Sequence, residues 1–280
     1  MFRQSSKSGL ILPRSSMVNP YTAQGLPAIY GRIAKNVRIF FDYSEGTGTK
    51  IYSKAGGGYF GTLDAGGSGN SIEQMWSNGR PGALDFDGAT DQINLNDKAA
   101  TNFLHGAENV NSFQTTAIFW VKLDNPEGNN LWMLFDTNGG TGGRPGAAMW
   151  IDDRSSFSRN RTVCYIIGAR SGQQIINLVG TNDCYPNDTK YHMIAVTHNQ
   201  ALANTNMKLY FDGVYINSSD KTAFTPNTDA SSDVCHIGTA AFTSAYGWMS
   251  GAIASTVFLD VALNVDTILA LYNYEKQFLQ

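Results

Sequence analysis

Two alternating runs meet in the segment Gly79-Arg-Pro-Gly-Ala-Leu-Asp-Phe-Asp-Gly-Ala-Thr-Asp-Gln-Ile-Asn-Leu95. Apolar and polar residues alternate over 83–87 and again over 92–95, a period that places successive side chains on opposite faces of a β-strand. The Asp87-Gly88 pair between the runs is typical of a tight turn. The segment therefore predicts a β-hairpin, and its acidic turn is a candidate site.

The composition indicates one large β-rich domain. The chain has 280 residues, of which 42% are hydrophobic and 15% charged, enough to bury a sizeable core. Its 29 glycines and 13 tyrosines suit short strands joined by tight turns. The formal net charge is only -3, and no apolar run reaches membrane-spanning length. We therefore expect no nucleic-acid partner and no membrane insertion.

The three cysteines, Cys164, Cys184 and Cys235, are too few and odd in number for a disulfide framework. They also form no Cys-x-x-Cys zinc pattern. Free thiols in a reducing cytosol are the better-supported interpretation, and a Cys164–Cys184 bond under oxidising conditions is the alternative.

Residues 1–34 differ from the rest of the chain, since they are Ser-rich at first, carry three prolines and show no strand or helix period. We expect an extended arm over 1–34 and a folded domain over 35–280. The apolar run at 10–12 is too short for a secretory signal, so we expect no signal peptide. The arm either wraps its own domain or reaches other subunits. The residues predicted to anchor it are Leu10, Ile11, Leu12, Pro13, Pro20 and Tyr21.

Strand signals fill the chain from residue 37 onward. The clearest candidates lie at 37–43, 113–123, 190–198, 207–216 and 249–260, with a brief one at 72–76. Asp212-Gly213 predicts a hairpin turn. Only 265–278 shows helical spacing. These elements predict two antiparallel sheets packed face to face, with one short C-terminal helix.

Six pieces of sequence, in order, resemble the laminin-G-like and concanavalin A-like jelly rolls. They are Phe41-Asp-Tyr-Ser-Glu-Gly-Thr-Gly-Thr49, Trp76-Ser-Asn-Gly-Arg-Pro-Gly-Ala-Leu-Asp-Phe-Asp-Gly88, Ala117-Ile-Phe-Trp-Val-Lys122, Tyr191-His-Met-Ile-Ala-Val-Thr197, Lys208-Leu-Tyr-Phe-Asp-Gly-Val214 and Gly251-Ala-Ile253. The resemblance covers residues 37–280 and implies an all-β, two-sheet antiparallel jelly-roll sandwich of the concanavalin A-like lectin/glucanase superfamily. That fold carries lectins, enzymes and structural modules alike, so the family does not fix the function.

The sequence argues against catalysis. Glucanases of this superfamily place paired carboxylates on one strand in a Glu-x-Asp-x-x-Glu pattern, for the acid and nucleophile roles. That pattern does not occur here. No pair of histidines has metal-ligand spacing on a helix, and no Gly-x-Ser-x-Gly elbow is present. We therefore expect a protein without enzymatic activity.

Calcium is the ion that the resemblance suggests, held by carboxylates near the turns. Asp87 with Asp91, or Asp42 with Glu45, are the candidate ligands. Relatives often carry an acidic residue after Gly-x-Ile near the C-terminus, whereas this chain continues Gly251-Ala-Ile-Ala-Ser-Thr256. That departure weighs against calcium, so we expect no cofactor.

A glycan site needs exposed aromatic rings with polar groups beside them. Trp132, Trp150, Asp152 and Arg170 are the candidates, although tryptophans in sandwich strands more often belong to the core. Residues 144–170 also hold five arginines against Asp152 and Asp153. This basic excess suits an anionic glycan or an acidic neighbouring subunit, with a solvated loop as the plain alternative.

Three functions fit these observations. The first is a structural protein of a virus particle, such as a bacteriophage capsid decoration or tail component, which is made in the host cytoplasm and displays a lectin-like jelly roll. Its partners are other virion proteins or copies of itself, contacted through the arm. The second is a carbohydrate-binding module for cell-surface polysaccharide, with export by a non-classical route as the alternative location. The third, a polysaccharide-degrading enzyme, has the least support.

Overall fold

The computed structural model describes residues 28–67, 69–108, 112–137, 145–168, 176–202, 206–219, 229–231, 233–241 and 247–279. Within these ranges the chain forms fifteen β-strands and two α-helices. The strands are β1 (Val37–Phe41), β2 (Lys50–Tyr52), β3 (Phe60–Asp64), β4 (Leu84–Asp87), β5 (Gln92–Leu95), β6 (Gln114–Leu123), β7 (Leu131–Asp136), β8 (Ala147–Asp152), β9 (Thr162–Ile167), β10 (Ile176–Val179), β11 (His192–Asn199), β12 (Met207–Phe211), β13 (Val214–Ser219), β14 (His236–Ile237) and β15 (Ser250–Leu259). The helices are α1 (Ile72–Asn78) and α2 (Val265–Leu279), and short 3-10 helices lie at Ala28–Tyr30, Ala34–Asn36, Lys98–His105 and Ser155–Phe157.

The described strands form two antiparallel sheets. Sheet A has seven strands in the order β1-β15-β6-β11-β12-β13, with β4 also paired to β15. Sheet B has eight strands in the order β10-β9-β8-β7-β14-β5-β3-β2. This architecture confirms the predicted all-β sandwich and its C-terminal helix.

Aromatic side chains join the two sheets across the core. Phe119 of sheet A lies parallel to Phe135 of sheet B, with ring centroids 5.8 Å apart and an interplanar angle of 2°. Phe258 of sheet A meets both rings edge-on, at 5.7 and 5.0 Å. All three side chains are fully buried. Offset and edge-to-face ring contacts add to the free energy of apolar burial, so this cluster holds the sheets together.

The segment over 79–95 confirms the predicted alternation but not the predicted hairpin. Leu84, Phe86 and Ile93 are all fully buried and face the core between the sheets. However, β4 pairs with β15 in sheet A, whereas β5 pairs with β3 and β14 in sheet B. The turn therefore carries the chain from one sheet to the other. Gly88 makes this possible with a φ of 77°, a left-handed conformation that favours glycine.

The predicted hairpin at Asp212-Gly213 is confirmed. Strands β12 and β13 pair directly, with Phe211 opposite Val214. Both intervening residues have positive φ, 49° for Asp212 and 79° for Gly213, as a two-residue turn of this kind requires.

The strand predicted at 72–76 is wrong, because these residues begin helix α1. The Ser71 hydroxyl accepts a hydrogen bond from the Gln74 N–H at 3.3 Å, and the Gln74 side chain accepts one from the Ser71 N–H at 2.7 Å. This capping box satisfies backbone donors at the start of the helix. Met75 and Trp76 are buried against the core.

The outer face of sheet A is covered by helix α2 and the 3-10 turns over 28–36. Trp120 projects from β6 into this layer and stacks on Tyr272 of α2, with ring centroids 5.7 Å apart. Ile268 and Leu271 of the helix are buried there too. No helix in the described part of the chain is long and apolar enough to cross a membrane.

The described end of the predicted arm is not extended. Short 3-10 helices at Ala28–Tyr30 and Ala34–Asn36 flank a turn, and Tyr30 is fully buried in the layer over sheet A. The anchoring residues predicted at 10–13, 20 and 21 lie outside the described residues.

Candidate functional site

The outer face of sheet B carries a row of polar residues. Strand register places them directly opposite one another on adjacent strands, since His236 pairs with both Asp136 and Asn94, Asn94 with Thr62, and Thr62 with Lys50. We call Asp136, His236, Asn94, Thr62 and Lys50 the polar row. With about 4.8 Å between strands, the row is about 19 Å long. Asp136 at its β7 end is only 1% exposed, so the part open to a ligand runs from His236 to Lys50 and is about 14 Å long. This is enough for a short oligosaccharide to lie across the strands.

Two hydrogen bonds order the middle of the polar row. His236 Nδ1 donates to Gln92 Oε1 at 3.0 Å, and Gln92 Nε2 donates to Asp64 Oδ2 at 3.0 Å. Because an amide oxygen can only accept, the histidine proton lies on Nδ1 and leaves Nε2 as an acceptor. Burial lowers the pKa of His236. The ring therefore presents a neutral acceptor at neutral pH.

Asn94 contributes an unsatisfied acceptor to the same row. Its Oδ1 atom is buried and has no hydrogen-bond partner among the described residues. A buried polar atom without a partner has lost its interactions with water, so a ligand hydroxyl placed there restores a hydrogen bond.

An aromatic pair lies at the β2 end of the polar row. Tyr52 and Phe60 are opposite each other on β2 and β3, with ring centroids 6.1 Å apart. Tyr52 is 53% exposed. Lys50 Nζ lies 4.4 Å from the centroid of the Phe60 ring. An exposed aromatic surface next to a row of hydrogen-bonding groups is the arrangement that recognises sugars in proteins.

The opposite end of this face is apolar. Trp150 is half-buried and packs with Met133, Ala148 and Ala240. Its indole nitrogen donates to Asp152 Oδ2 at 3.2 Å. Trp150 thus lies on the outer face of sheet B, but its polar atom is already bonded within the protein.

Asp152 is a buried ionic centre rather than an exposed ligand. The Arg154 guanidinium donates two hydrogen bonds to its carboxylate, each 2.9 Å long, and the Arg159 guanidinium donates another at 2.5 Å. Burial acts to raise the pKa of Asp152, but these guanidinium contacts outweigh it and lower the pKa. The guanidinium of Arg154 also lies over the exposed Phe157 ring at 4.4 Å.

The predicted basic excess is largely neutralised in the described residues. Arg154 and Arg159 share Asp152, while Arg161 pairs with Asp183 and lies 3.5 Å from Glu127. Paired guanidinium groups attract an external anion weakly. Arg144 and Arg170 lie outside the described residues.

The family model described as the concanavalin A-like lectin/glucanases superfamily, laminin G type, matches residues 87–269, which is more than half of the chain. The chain belongs to this superfamily. A comparison with curated proteins found no match.

Solved binding domains of botulinum neurotoxins share the superfamily fold. The serotype D domain is 14% identical, and the match covers 88% of this chain and 53% of that chain, with a TM-score of 0.58. The neurotoxin DC domain in complex with SialylT is 12% identical, covering 86% of this chain and 52% of that one, with a TM-score of 0.58. The chain thus spans about half the length of these domains. At such low identity the likeness shows the fold alone.

Within this superfamily fold, the predicted glycan residues do not come together as one platform. Trp132 is 1% exposed and packs in the core between the sheets, so its ring is not available to stack on a sugar. Trp150 and Asp152 share the outer face of sheet B, in the positions described above. Arg170 lies outside the described residues.

The acidic turn at 87–91 is organised by its own hydrogen bonds. Asp87 Oδ1 accepts the N–H groups of Ala89, Thr90 and Asp91, and Asp91 Oδ2 accepts those of Asp87 and Asn70. Burial raises the pKa of Asp91 to about 6. Calcium takes six to eight oxygen ligands, which is more than the two carboxyl groups of this turn supply by themselves. In the described part of the chain no three His, Cys, Asp or Glu side chains group to hold a metal.

The residues of the polar row could be predicted to face outward, but their arrangement as neighbours could not be predicted from the sequence. Residues 50–52, 60–64 and 92–95 alternate as surface strands do, with polar residues at every second position. That pattern shows which side chains face outward. It does not show that β14, more than 140 positions beyond β5 in the chain, lies beside it.

Proposed function

We propose that this chain is a non-enzymatic, lectin-like module that binds a glycan on the outer face of sheet B. The observation that carries the proposal is the polar row beside the exposed aromatic pair of Tyr52 and Phe60. A sugar offers C–H faces for stacking and hydroxyl groups for hydrogen bonds. Both kinds of partner are present here on one rigid sheet.

Each part of the site has a separate role in this proposal. The Tyr52 ring takes the C–H face of one sugar unit, because an aromatic ring gains most from a flat apolar contact. Asn94 Oδ1 and His236 Nε2 accept hydrogen bonds from hydroxyl groups further along the strands. Thr62 is exposed and offers a hydroxyl that both donates and accepts.

The same geometry supports a binding role over a catalytic one. Glycoside hydrolysis needs two carboxyl groups that flank the scissile bond. The carboxylates near the row already accept hydrogen bonds from the protein, Asp64 from Gln92 and Asp136 from the Ala241 N–H. These contacts suit Asp64, which is half-buried, as a fixed acceptor for hydroxyl groups, whereas Asp136 is buried.

The neurotoxin domains give this proposal an independent parallel. One is described as bound to SialylT, and the cell entry of another as dependent on two ganglioside molecules. Those statements concern chains of which the match covers only 52%. They support a search for glycan ligands and leave the sugar to be identified.

The test is binding to a panel of immobilised neutral and acidic polysaccharides. We expect the unmodified chain to bind at least one of them. Tyr52→Ala and Asn94→Ala should each weaken that binding by about tenfold, equivalent to about 1.4 kcal/mol. Tyr215→Ala is the matched control, because Tyr215 is also an exposed strand tyrosine, at 46%, but belongs to sheet A. Equal binding by all four proteins contradicts the proposed site.

A second proposal concerns where the module works. We propose that it is displayed on a virus particle, as a capsid decoration or tail component, with the segment before residue 28 attached to other virion proteins or to copies of itself. Its support is the Pro-punctuated segment, which precedes a β-rich, weakly charged domain. Mass spectrometry of purified particles tests this directly. Finding the chain only as a free protein outside particles contradicts it and favours non-classical export.

A further inference from the structure

A cavity lies between helix α2 and sheet A, at the place where two strands share one edge of β15. Strand β4 pairs with β15 as far as Ile253, and β1 pairs with it from Thr256 onward. Neither register includes Ala254 or Ser255, and both residues belong to the cavity wall. The cavity has a volume of about 270 Å³. The gap between the two edge strands therefore leaves room for a small molecule beside β15.

Most of the cavity wall is apolar. Six apolar side chains from the sheet, the loop before β4 and the end of α2 contribute to it: Phe40, Pro81, Ala254, Tyr274, Phe278 and Leu279. Phe278 is 55% exposed. When an apolar ligand enters, this ring loses contact with water, and that burial favours binding. The wall therefore suits an aliphatic chain.

Arg80 supplies a cation to the cavity wall. Its half-buried guanidinium lies 5.6 Å from the centroid of the Tyr191 ring and donates a hydrogen bond to the Phe278 carbonyl oxygen. It forms no ion pair with a carboxylate of the described residues. A guanidinium has further N–H donors, and a carboxylate accepts from two of them at once. Arg80 is therefore a ready partner for the carboxylate of a ligand.

Ser255 adds a second hydrogen-bonding group to the wall. The residue is 6% exposed, and its Oγ atom has no hydrogen-bond partner among the described residues. Register places it opposite Trp120, whose side chain projects into the layer between sheet A and α2. A buried hydroxyl has lost its hydrogen bonds to water, so an oxygen atom of a ligand restores one.

Two carboxylates also belong to the wall, and both already have partners within the protein. Asp42 lies 3.7 Å from Lys54 Nζ, which offsets its charge. Glu275 accepts hydrogen bonds from Tyr30 and Trp120, and burial raises its pKa to about 7. At pH 6 most Glu275 carboxyl groups are therefore protonated. Among the described wall residues, only the arginine then carries a charge without a counter-ion.

We propose that this cavity binds a medium-chain aliphatic carboxylate. The carboxylate accepts hydrogen bonds from the Arg80 guanidinium and the Ser255 hydroxyl, while the chain fills the apolar space between Phe278 and the sheet. The arginine favours a carboxylate over an amine, and the apolar wall favours an aliphatic chain over an inorganic anion. The volume is near the lower limit of about 300 Å³ for small-molecule pockets, so it suits a single short chain.

The cavity and the polar row lie on opposite sides of the molecule, so this binding is independent of the glycan proposal. Titration calorimetry of the full chain with sodium octanoate at pH 6 provides the test. We expect saturable binding of octanoate. Binding of 1-octanol, which lacks the charge, and of acetate, which lacks the chain, should each be weaker by about tenfold or more. Equal affinity for octanoate and 1-octanol contradicts the proposal, as does the absence of octanoate binding.

Arg80→Gln should weaken octanoate binding by about tenfold and leave 1-octanol binding unchanged, because only the charge pairing is lost. Arg32→Gln is the matched control, since Arg32 is an exposed arginine in the turns over the same face. It should bind octanoate as the unmodified chain does. Equal weakening in the two variants means that octanoate responds to overall charge, which overturns the assigned site.

Ser255→Ala tests the site without changing a charge. Removal of a buried hydroxyl that has no partner should leave the Tm of the free protein unchanged or slightly raised. The same variant should bind octanoate several-fold more weakly, because one hydrogen bond to the carboxylate is missing. Unchanged octanoate affinity in a folded Ser255→Ala protein contradicts the proposed position of the carboxylate.

Discussion

The outer faces of the two sheets both arise from alternation of inward and outward residues along the strands. One face is covered by the rest of the chain, and the other is exposed. On sheet A an apolar group of outward residues that includes Ile118, Trp120 and Val257 is covered by α2 and the turns over 28–36. On sheet B the outward residues of the polar row are hydrophilic, and Tyr52 beside them is more than half exposed. One face therefore adds to stability, while the other stays available for a ligand.

The polar groups on the two faces differ in the same way. Glu275 of α2 is buried, and its carboxylate accepts hydrogen bonds from Tyr30 and Trp120. Asn94 on sheet B keeps a buried oxygen without a partner among the described residues. Glu275 is therefore paired within the protein, whereas Asn94 keeps an acceptor that a ligand can use.

The largest contrast between the faces is expected in stability. Trp120→Ala should lower the free energy of unfolding by about 3–5 kcal/mol, because it leaves a cavity beside Tyr272 and removes a donor to Glu275. Tyr52→Ala on sheet B should cost about 1 kcal/mol or less, since the ring is exposed. Urea unfolding monitored by circular dichroism measures both. Similar losses of unfolding free energy in the two variants contradict this difference between the faces.

A second contrast is the pH dependence of the covered face. Burial raises the pKa of Glu275 to about 7, well above its usual value in an unfolded chain. The folded state therefore binds this proton more tightly, so the contribution to stability is complete below about pH 4.5 and is lost as the pH rises through 7. The loss amounts to at most about 3 kcal/mol.

Glu275→Gln isolates that contribution. The amide keeps the shape but cannot ionise, and its oxygen can accept from the Trp120 indole while its NH2 group donates to the Tyr30 hydroxyl. We expect the decline in unfolding free energy between pH 5 and 8 to be smaller in the variant than in the unmodified chain. Parallel declines measured by urea titration at each pH mean that Glu275 does not titrate in this range.

The smallest expected effect has the opposite sign and belongs to sheet B. Burial lowers the pKa of His236, so the unfolded state binds its proton more tightly. Stability from this group is present above its unfolded pKa of about 6.5 and is lost as the pH falls through the lowered value. His236→Gln should flatten this acid-side loss in thermal unfolding between pH 7 and 5. An unchanged slope indicates that the ring is not held neutral by burial.

Much of the fold was predictable from local pattern. The strands at 113–123, 190–198 and 207–216 and the terminal helix lie where periodicity places them. Helix α1 was missed because its apolar residues also suit a short strand. The Ser71-x-x-Gln74 spacing was the available signal, since it is the sequence pattern of a capping box.

The candidate site was much less predictable. Tryptophan beside a carboxylate is a reasonable sequence indicator of a sugar-binding site. However, Trp132 faces the core, and the Asp152 carboxylate is paired with two arginines. Orientation of a tryptophan depends on the strand's register within the sandwich. Exposure of a carboxylate depends on which cations the fold brings to it.

By itself the sequence determined the faces of the strands, the superfamily fold and the positions of the two turns at Asp87-Gly88 and Asp212-Gly213. The tertiary structure decided which strands are neighbours. The first turn joins two sheets, the second closes a hairpin, and Asn94 lies beside His236. A period of two fixes the side of a strand on which each residue lies. Its partners are fixed only when the whole chain packs, because pairing between distant strands depends on long-range burial that no local pattern encodes.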